Sequence, residues 1–457
     1  MENVRENKMG VMPINKLIIS MSLPMVISML VQALYNVVDS VFVSRLSEDA
    51  LTAVSMAFPM QNLMISVGTG LGVGMNALLS RSLGEKNAKA VNKAAMNGLF
   101  LEAIGYILFL IIGIFATRIF FVAQAGESVI TDLGTSYTSI CLIMSFGIFM
   151  QFTFERMLQA TGRTFLTMIT QTFGAVINII LDPILIFGLL GMPAMGVAGA
   201  AVATVTGQIC AAILAAVFNV KKNPDVHLNF KGFKPEAKFI KPILSVGIPS
   251  IIMASVGSVM TFGMNKILMA FSSTAVAVFG VYFKLNSFIF MPVFGLNNGV
   301  VPIIAYNYGA KNKSRLTKTI KLAIIYAAAI MLIGLALFQI FPDTLLNFFD
   351  ASEDMLKIGI PALRIISLSF AFAGICIALS SCFQALGHGF LSMFVSIVRQ
   401  LVVLLPAAYI LAQFGNIDTV WWSYNIAEVF SVLLSMIFFK YLYNKTIKPL
   451  DKIQNQI

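Results

Sequence analysis

Long apolar runs separated by short polar breaks recur along the whole chain. A helix needs about 20 predominantly apolar residues to cross bilayer hydrocarbon. On that measure the pattern predicts spanning helices over residues 17–43, 51–80, 94–117, 131–155, 164–190, 197–220, 242–271, 275–305, 319–341, 358–384, 390–413 and 419–442. The fold class expected is an all-α polytopic membrane protein with twelve transmembrane helices. Two of the longest runs, 51–80 and 275–305, contain glycine and proline and are expected to be tilted or broken.

Charge sorts the polar breaks into two sets. One holds Arg5, Lys8 and Lys16, then Arg81, Lys86, Lys89 and Lys93, then Arg163, then the lysines from Lys221 to Lys241, those from Lys311 to Lys321 with Arg315, and finally Lys440, Lys445, Lys448 and Lys452. The other set offers Arg45, Arg118 and Lys357 among acids that include Glu48, Asp132, Asp350 and Asp418. The positive-inside rule then places both termini in the cytoplasm of a multi-pass cell (inner) membrane protein. Composition agrees: 58% of residues are hydrophobic and 11% charged, mean hydropathy is +0.88, and a soluble domain carries about 25% charged residues. The net charge of +11 marks topology and calls for no nucleic-acid partner. Cys141, Cys210, Cys376 and Cys382 lie in apolar runs without metal-ligand spacing, and His227 and His388 lie in predicted loops, so neither a disulfide framework nor a zinc site is expected.

An offset of 225 maps Pro24 onto Pro249, Gly70 onto Gly295, Gly74 onto Gly299, and Gly84, Lys86, Asn87 and Lys93 onto Gly309, Lys311, Asn312 and Lys318. It also aligns the run from Gln159 to Met168 with that from Gln384 to Met393. The chain therefore reads as two pseudo-symmetric six-helix bundles. Residues 1–16 form a cytoplasmic leader, 17–220 an N-lobe, 221–241 a cytoplasmic linker, 242–442 a C-lobe and 443–457 a cytoplasmic tail. An even number of helices per half makes the repeat parallel, and helix 1, being part of the repeat, is expected to be retained rather than cleaved as a signal.

Two such bundles can rock between inward-open and outward-open states around a mid-membrane site. A carboxylate at the centre of a span costs about 2.5–3.5 kcal/mol, so buried acids carry the functional signal. Tyr35 and Asp39 share one face of helix 1, as do Asn36 and Ser40. Asn178 and Asp182 share a face of helix 5 ahead of Pro183, and Ala200 and Thr204 repeat the spacing in helix 6. This oxygen-rich set suits a hard cation or a shared proton. The competing reading is structural, with Asp39 capping a helix and Asp182 paired across helices. The repeat counterparts of the two acids are Met264 and Ala407, which favours a site confined to the N-terminal half.

The second half instead carries Lys266, Lys284, Arg364 and Arg399 within its spans, with Glu428 as a candidate neutralising partner. Lys284 and Glu428 are candidate substrate or gating residues, with Tyr35 and Asn36. Glu155 and Arg156 read first as an interfacial charge pair. Gly68, Gly70, Gly72 and Gly74 follow no strand, and close helix packing outweighs a nucleotide loop. Trp421 and Trp422 fit an outer aromatic belt.

The stretches Leu34 to Leu46, Asn178 to Thr204, Phe283 through Asn312 and the paired QATG and QALG segments carry a resemblance to the multidrug and toxic compound extrusion (MATE) family, in the bacterial branches typified by NorM, DinF and MepA. The resemblance implies a secondary active antiporter, not an enzyme, that exports amphipathic, often cationic, organic compounds against inward flow of sodium ions or protons. It implies a cation site at Asp39, Asn178, Asp182 and Thr204 with Ala200 as carbonyl donor; the first four are the metal ligands if the ion is sodium. The acids that the NorM branch uses in helices 7 and 10 have no counterpart here. No cofactor other than the transported ion is expected, and the partners expected are a small organic substrate and the bilayer around a monomer. The alternative is a lipid or lipid-linked oligosaccharide flippase of the same superfamily.

Overall fold

The computed structural model describes residues 7–349 and 351–450; Arg5, Asp350, Lys452 and the outer parts of the leader and tail lie outside them. Ten helices are long and apolar enough to cross a membrane, and two bent helix pairs bring the spans to twelve. They are α1 (Ile14–Ser44), α2 (Glu48–Gly84), α3 (Ala88–Phe115), α4a and α4b (Val129–Ile143 and Phe146–Ala160), α5 (Thr164–Phe187) and α6 (Val197–Lys222). Then follow α7 (Ala237–Met269), α8 (Ser273–Gly309), α9 (Lys313–Ile340), α10a and α10b (Glu353–Ser367 and Phe370–Ala385), α11 (Gly389–Ala412) and α12 (Ile417–Leu442). The twelve predicted segments each fall on one of these spans.

The internal repeat survives to the level of single caps. Ser47 accepts from Ala50 N at 3.0 Å and Ser272 from Ala275 N at 3.1 Å; Asn87 accepts from Ala90 N at 3.0 Å and Asn312 from Arg315 N at 3.1 Å. Lys86 and Lys311 share a positive φ of 54° and 55°, as do Gly162 and Gly387 at 86° and 84°. An N-cap side chain satisfies a backbone donor that the helix leaves orphaned. Asn87→Ala and Asn312→Ala are each expected to cost about 1 kcal/mol, read as a lowered unfolding temperature in detergent; unchanged melting in both would remove the caps from the stability of the fold.

One of two expected alternatives is excluded, and one expectation is corrected. The Gly- and Pro-bearing runs 51–80 and 275–305 lie in unbroken helices, α2 and α8, of 37 residues each. At 1.5 Å per residue such a helix is about 55 Å long, well beyond a hydrocarbon core of about 30 Å, so breakage is the alternative excluded. The breaks lie instead in α4 and α10, with bends of 43° and 49°, each at a serine just before the second segment, Ser145 before Phe146 and Ser369 before Phe370, one residue out of the repeat register. Ser369 Oγ donates back to Ile366 O at 2.7 Å, a local bond that competes with the helix ladder. The correction concerns Trp421, which is fully buried and stacks on Phe279 at 6.4 Å; only Trp422 is exposed.

The chain divides into two compact units, Ile27–Ile251 and Met1–Val26 with Ile252–Ile457. Both boundaries run inside a helix, two residues past Pro24 in α1 and two past Pro249 in α7. Each proline removes the N–H that would bond the carbonyl four residues back. In the first unit, the start of α7 packs on α2, where Gly70 and Gly74 bring the backbone against Gly247 and Ile243. In the second unit, the start of α1 packs on α8, where Gly295 and Gly299 meet Val26 and Ser22, and Ser22 Oγ donates to Leu296 O at 3.1 Å. The glycine run of α2 is thus a helix-packing surface.

Candidate functional site

The candidate cation site lies within the first unit. Helix α5 meets α6 at glycines: a Cβ on Gly207 would fall 2.6 Å from Gly174 O and 3.3 Å from Asn178 Cβ. This backbone approach, available only to small residues, sets Asn178 beside Thr204. The Asn178 amide is best satisfied with its nitrogen donating to Asp182 Oδ2 at 3.2 Å and its oxygen accepting from Thr204 Oγ1 at 3.2 Å and Thr204 N at 3.1 Å. The reverse orientation keeps only the Nδ2 to Thr204 Oγ1 contact, at 3.2 Å, and turns the amide oxygen toward the carboxylate.

Asp182 is fully buried, and its Oδ1 has no hydrogen-bond partner; the same holds for the buried Oδ1 of half-buried Asp39. Asp39 lies within electrostatic reach of Asp182, and Tyr35 within reach of both. Two buried acceptor atoms without a protein donor are what a bound cation or proton satisfies. Thr204 N is also the helical partner of the Ala200 carbonyl, so that carbonyl shares its donor with Asn178. The Ala200 side chain itself is fully buried in an apolar cluster with Tyr137 and Cys141. Gln61 donates to Tyr137 Oη at 3.3 Å and approaches Cys141 Sγ at 3.5 Å, a polar wall that sequence reasoning missed because no charge flags it.

Beside this group a cavity of about 120 Å³ is lined by Tyr35, Asn36, Asn178 and Thr204 together with Gln32, Gln151, Gln171 and Gln208. The four glutamines were likewise absent from the sequence reading. Glu155 stands behind them, 1% exposed, with Arg156 within electrostatic reach. The remaining candidates belong to the second unit. Glu428 is buried and bound to Arg399 at 3.2 Å. Lys284 is exposed, its Nζ 5.7 Å from the centre of the Phe349 ring. Lys266 and Arg364 are exposed as well.

A family model, MatE, matches residues 24–184 and 249–410, one stretch in each repeat. The chain belongs to the MatE family. Relatives of this MatE protein include the multidrug export protein MepA of Staphylococcus aureus (strain MSSA476), 28% identical over 430 residues that make up 93% of either chain. MepA of Staphylococcus haemolyticus (strain JCSC1435) is 28% identical over 424 residues, 92% of either chain. Among solved structures, a MATE in complex with MaL6 superposes with a TM-score of 0.90 at 27% identity, covering 97% of this chain and 99% of that one. An outward-facing multidrug resistance MATE transporter of the MOP superfamily gives 0.91 at 26% identity, covering 99% and 100%. The MatE fold of twelve spans and a transporter architecture are therefore those of this chain.

Proposed function

We propose that the protein exports amphipathic, often cationic, organic compounds from the cytoplasm in antiport with protons or sodium ions. The observation that carries this reading is the pair of buried, unpartnered carboxylate oxygens on Asp39 and Asp182, in a family whose relatives are multidrug exporters. Both termini are read as cytoplasmic, the protein as a monomer in the cell membrane, and its activity as transport without enzymatic chemistry.

An ion entering from outside is shared by Asp39 and Asp182. Asn178 keeps its amide nitrogen on Asp182 when the ion is a proton and offers its oxygen when the ion is sodium, with Thr204 Oγ1 completing the set. Neutralising Asp39 removes the charge that α1 presents to α5, so α1 repacks and drug leaves on the outer side. Release of the ion inward resets the cycle. Each elementary charge moved inward supplies about 2.3 kcal/mol per 100 mV of membrane potential.

The test is drug efflux from proteoliposomes under proton and sodium gradients imposed one at a time. Efflux that follows one of the gradients is expected. Efflux at the same rate with both gradients collapsed would exclude antiport.

A further inference from the structure

A second group of ionisable side chains lies inside the first unit, apart from the cation site: Glu102 near the middle of α3, and Glu155 and Arg156 on α4b. The Glu155 carboxylate accepts from Gln171 Nε2 at 2.7 Å, Gln151 Nε2 at 3.0 Å and Thr170 Oγ1 at 3.0 Å. Three donors are the environment of an ionised carboxylate. Glu102 has the opposite surroundings. It is 0% exposed, and neither of its oxygens has a hydrogen-bond partner.

Arg156 packs its stem over Gly72, where a Cβ would fall 2.9 Å from Arg156 Cγ, and donates to Gln159 Oε1 at 2.8 Å. It lies within electrostatic reach of both glutamates. Apart from Asp182 of the cation site on α5, the other charges on neighbouring elements stand toward helix ends: Glu48, Asp49 and Arg81 on α2, Lys89 and Lys93 on α3 with Lys93 bound to Glu236, Asp132 on α4a, Lys221 and Lys222 on α6, and Lys238 and Lys241 on α7. Tyr106, a turn beyond Glu102, packs on Phe146. One guanidinium therefore faces two acids. It balances one of them, and a second buried charge with neither solvent nor donor costs far more than a neutral acid.

We propose that Glu102, Glu155 and Arg156 form a second proton site in this unit, with the proton resident on Glu102. The site communicates with the first. Gln151 and Gln171, which hold Glu155, also line the cavity that reaches Asn178 and Thr204. Gln171, Asn178 and Asp182 follow one face of α5, with Gly174 leaving room between them. The cavity, about 120 Å³, has room for several waters, which would link the neighbours of Glu155 to those of Asp182. The existence of the site is independent of the antiport reading; its use in transport rests on it.

Infrared spectroscopy of the purified full-length protein reads the carbonyl stretch of a protonated, unbonded carboxyl. In the Asp39→Asn/Asp182→Asn background, where the cation-site carboxyls contribute no band, one such band is expected, and it is absent when Glu102→Gln is added. It is also expected to vanish when Glu155→Gln is added, because Arg156 then balances an ionised Glu102. Glu102→Asp restores a band if the loss in the glutamine variant is chemical and not a folding defect. A band that survives Glu102→Gln, or survives Glu155→Gln in protein that elutes like the wild type, overturns the proposal. Should Glu102→Gln not fold, the same background with and without Glu155→Gln still decides. In proteoliposomes Glu102→Gln is expected to lose one proton from the number exchanged per drug. A wild type that moves no protons would end proton antiport and leave the infrared result standing.

Discussion

Asp39→Asn is expected to abolish ion-driven drug efflux, to about one-hundredth of the wild-type rate or less, with the protein still folded. The substitution keeps the size of the side chain and removes the charge. An amide neither takes up the proton nor gives a cation a charged ligand, and a loss of about 2.7 kcal/mol in coupling is about 100-fold in a rate. Folding is spared because Asp39 Oδ1 has no donor to lose. Asp182→Asn is expected to fall as far, with a difference in the partner: Asn178 loses a charged acceptor for its amide nitrogen and keeps Thr204. The measurement is efflux from loaded proteoliposomes beside a melting curve in detergent. Full gradient-dependent efflux by Asp39→Asn would remove this residue from coupling, and loss of efflux with a collapsed melt would show a structural part instead.

The second large effect is expected from Gly207→Val. The new Cβ would have to displace Gly174 O, 2.6 Å away, which is backbone and cannot swing aside. Overpacking of this kind costs about 1–3 kcal/mol, and relief by parting α5 from α6 draws Asn178 off Thr204. Both the unfolding temperature and efflux should therefore fall. Gly280→Ala is the control, since nothing lies within 4 Å of a Cβ there and alanine favours a helix. Equal behaviour of the two variants would mean that the close approach of α5 and α6 does not hold the site.

Much of the fold was legible because a spanning helix is written in one variable, apolar length, and because the repeat prints each cap twice. Ser47 and Ser272, or Asn87 and Asn312, sit at the same register in both halves and cap the same helix starts. The breaks in α4 and α10 were not legible, since a serine in an apolar run costs little and carries no periodic signal, whereas the prolines of α8 drew attention to a helix that stays whole. In the site, Asn178, Asp182 and Thr204 were readable from i,i+4 spacing and from the expense of charge in a membrane, and the resemblance drew them together. The glutamines around the cavity were not, because an uncharged amide does not announce which way it faces. The hydrogen-bond donors of Glu155 were not legible for a related reason: sequence offered its neighbour Arg156 as a charge partner, while Gln151, Gln171 and Thr170 come from one turn back and from another helix.

The crossing of α1 and α7 from one compact unit to the other has a consequence for biosynthesis. Residues 27–251 complete their packing only when the first half of α7 has been made, so a nascent chain halted after α6 would hold its cation-site residues in an unfinished bundle. The first half of α1 waits longer still. Ser22 finds its acceptor on Leu296, 274 residues downstream, and at about 5–20 residues per second that is an interval of roughly tens of seconds. During that time the opening segment of the chain sits in the bilayer without its lasting neighbours. Conditions that slow elongation should therefore expose residues 14–26 to membrane proteases before any other part of the molecule.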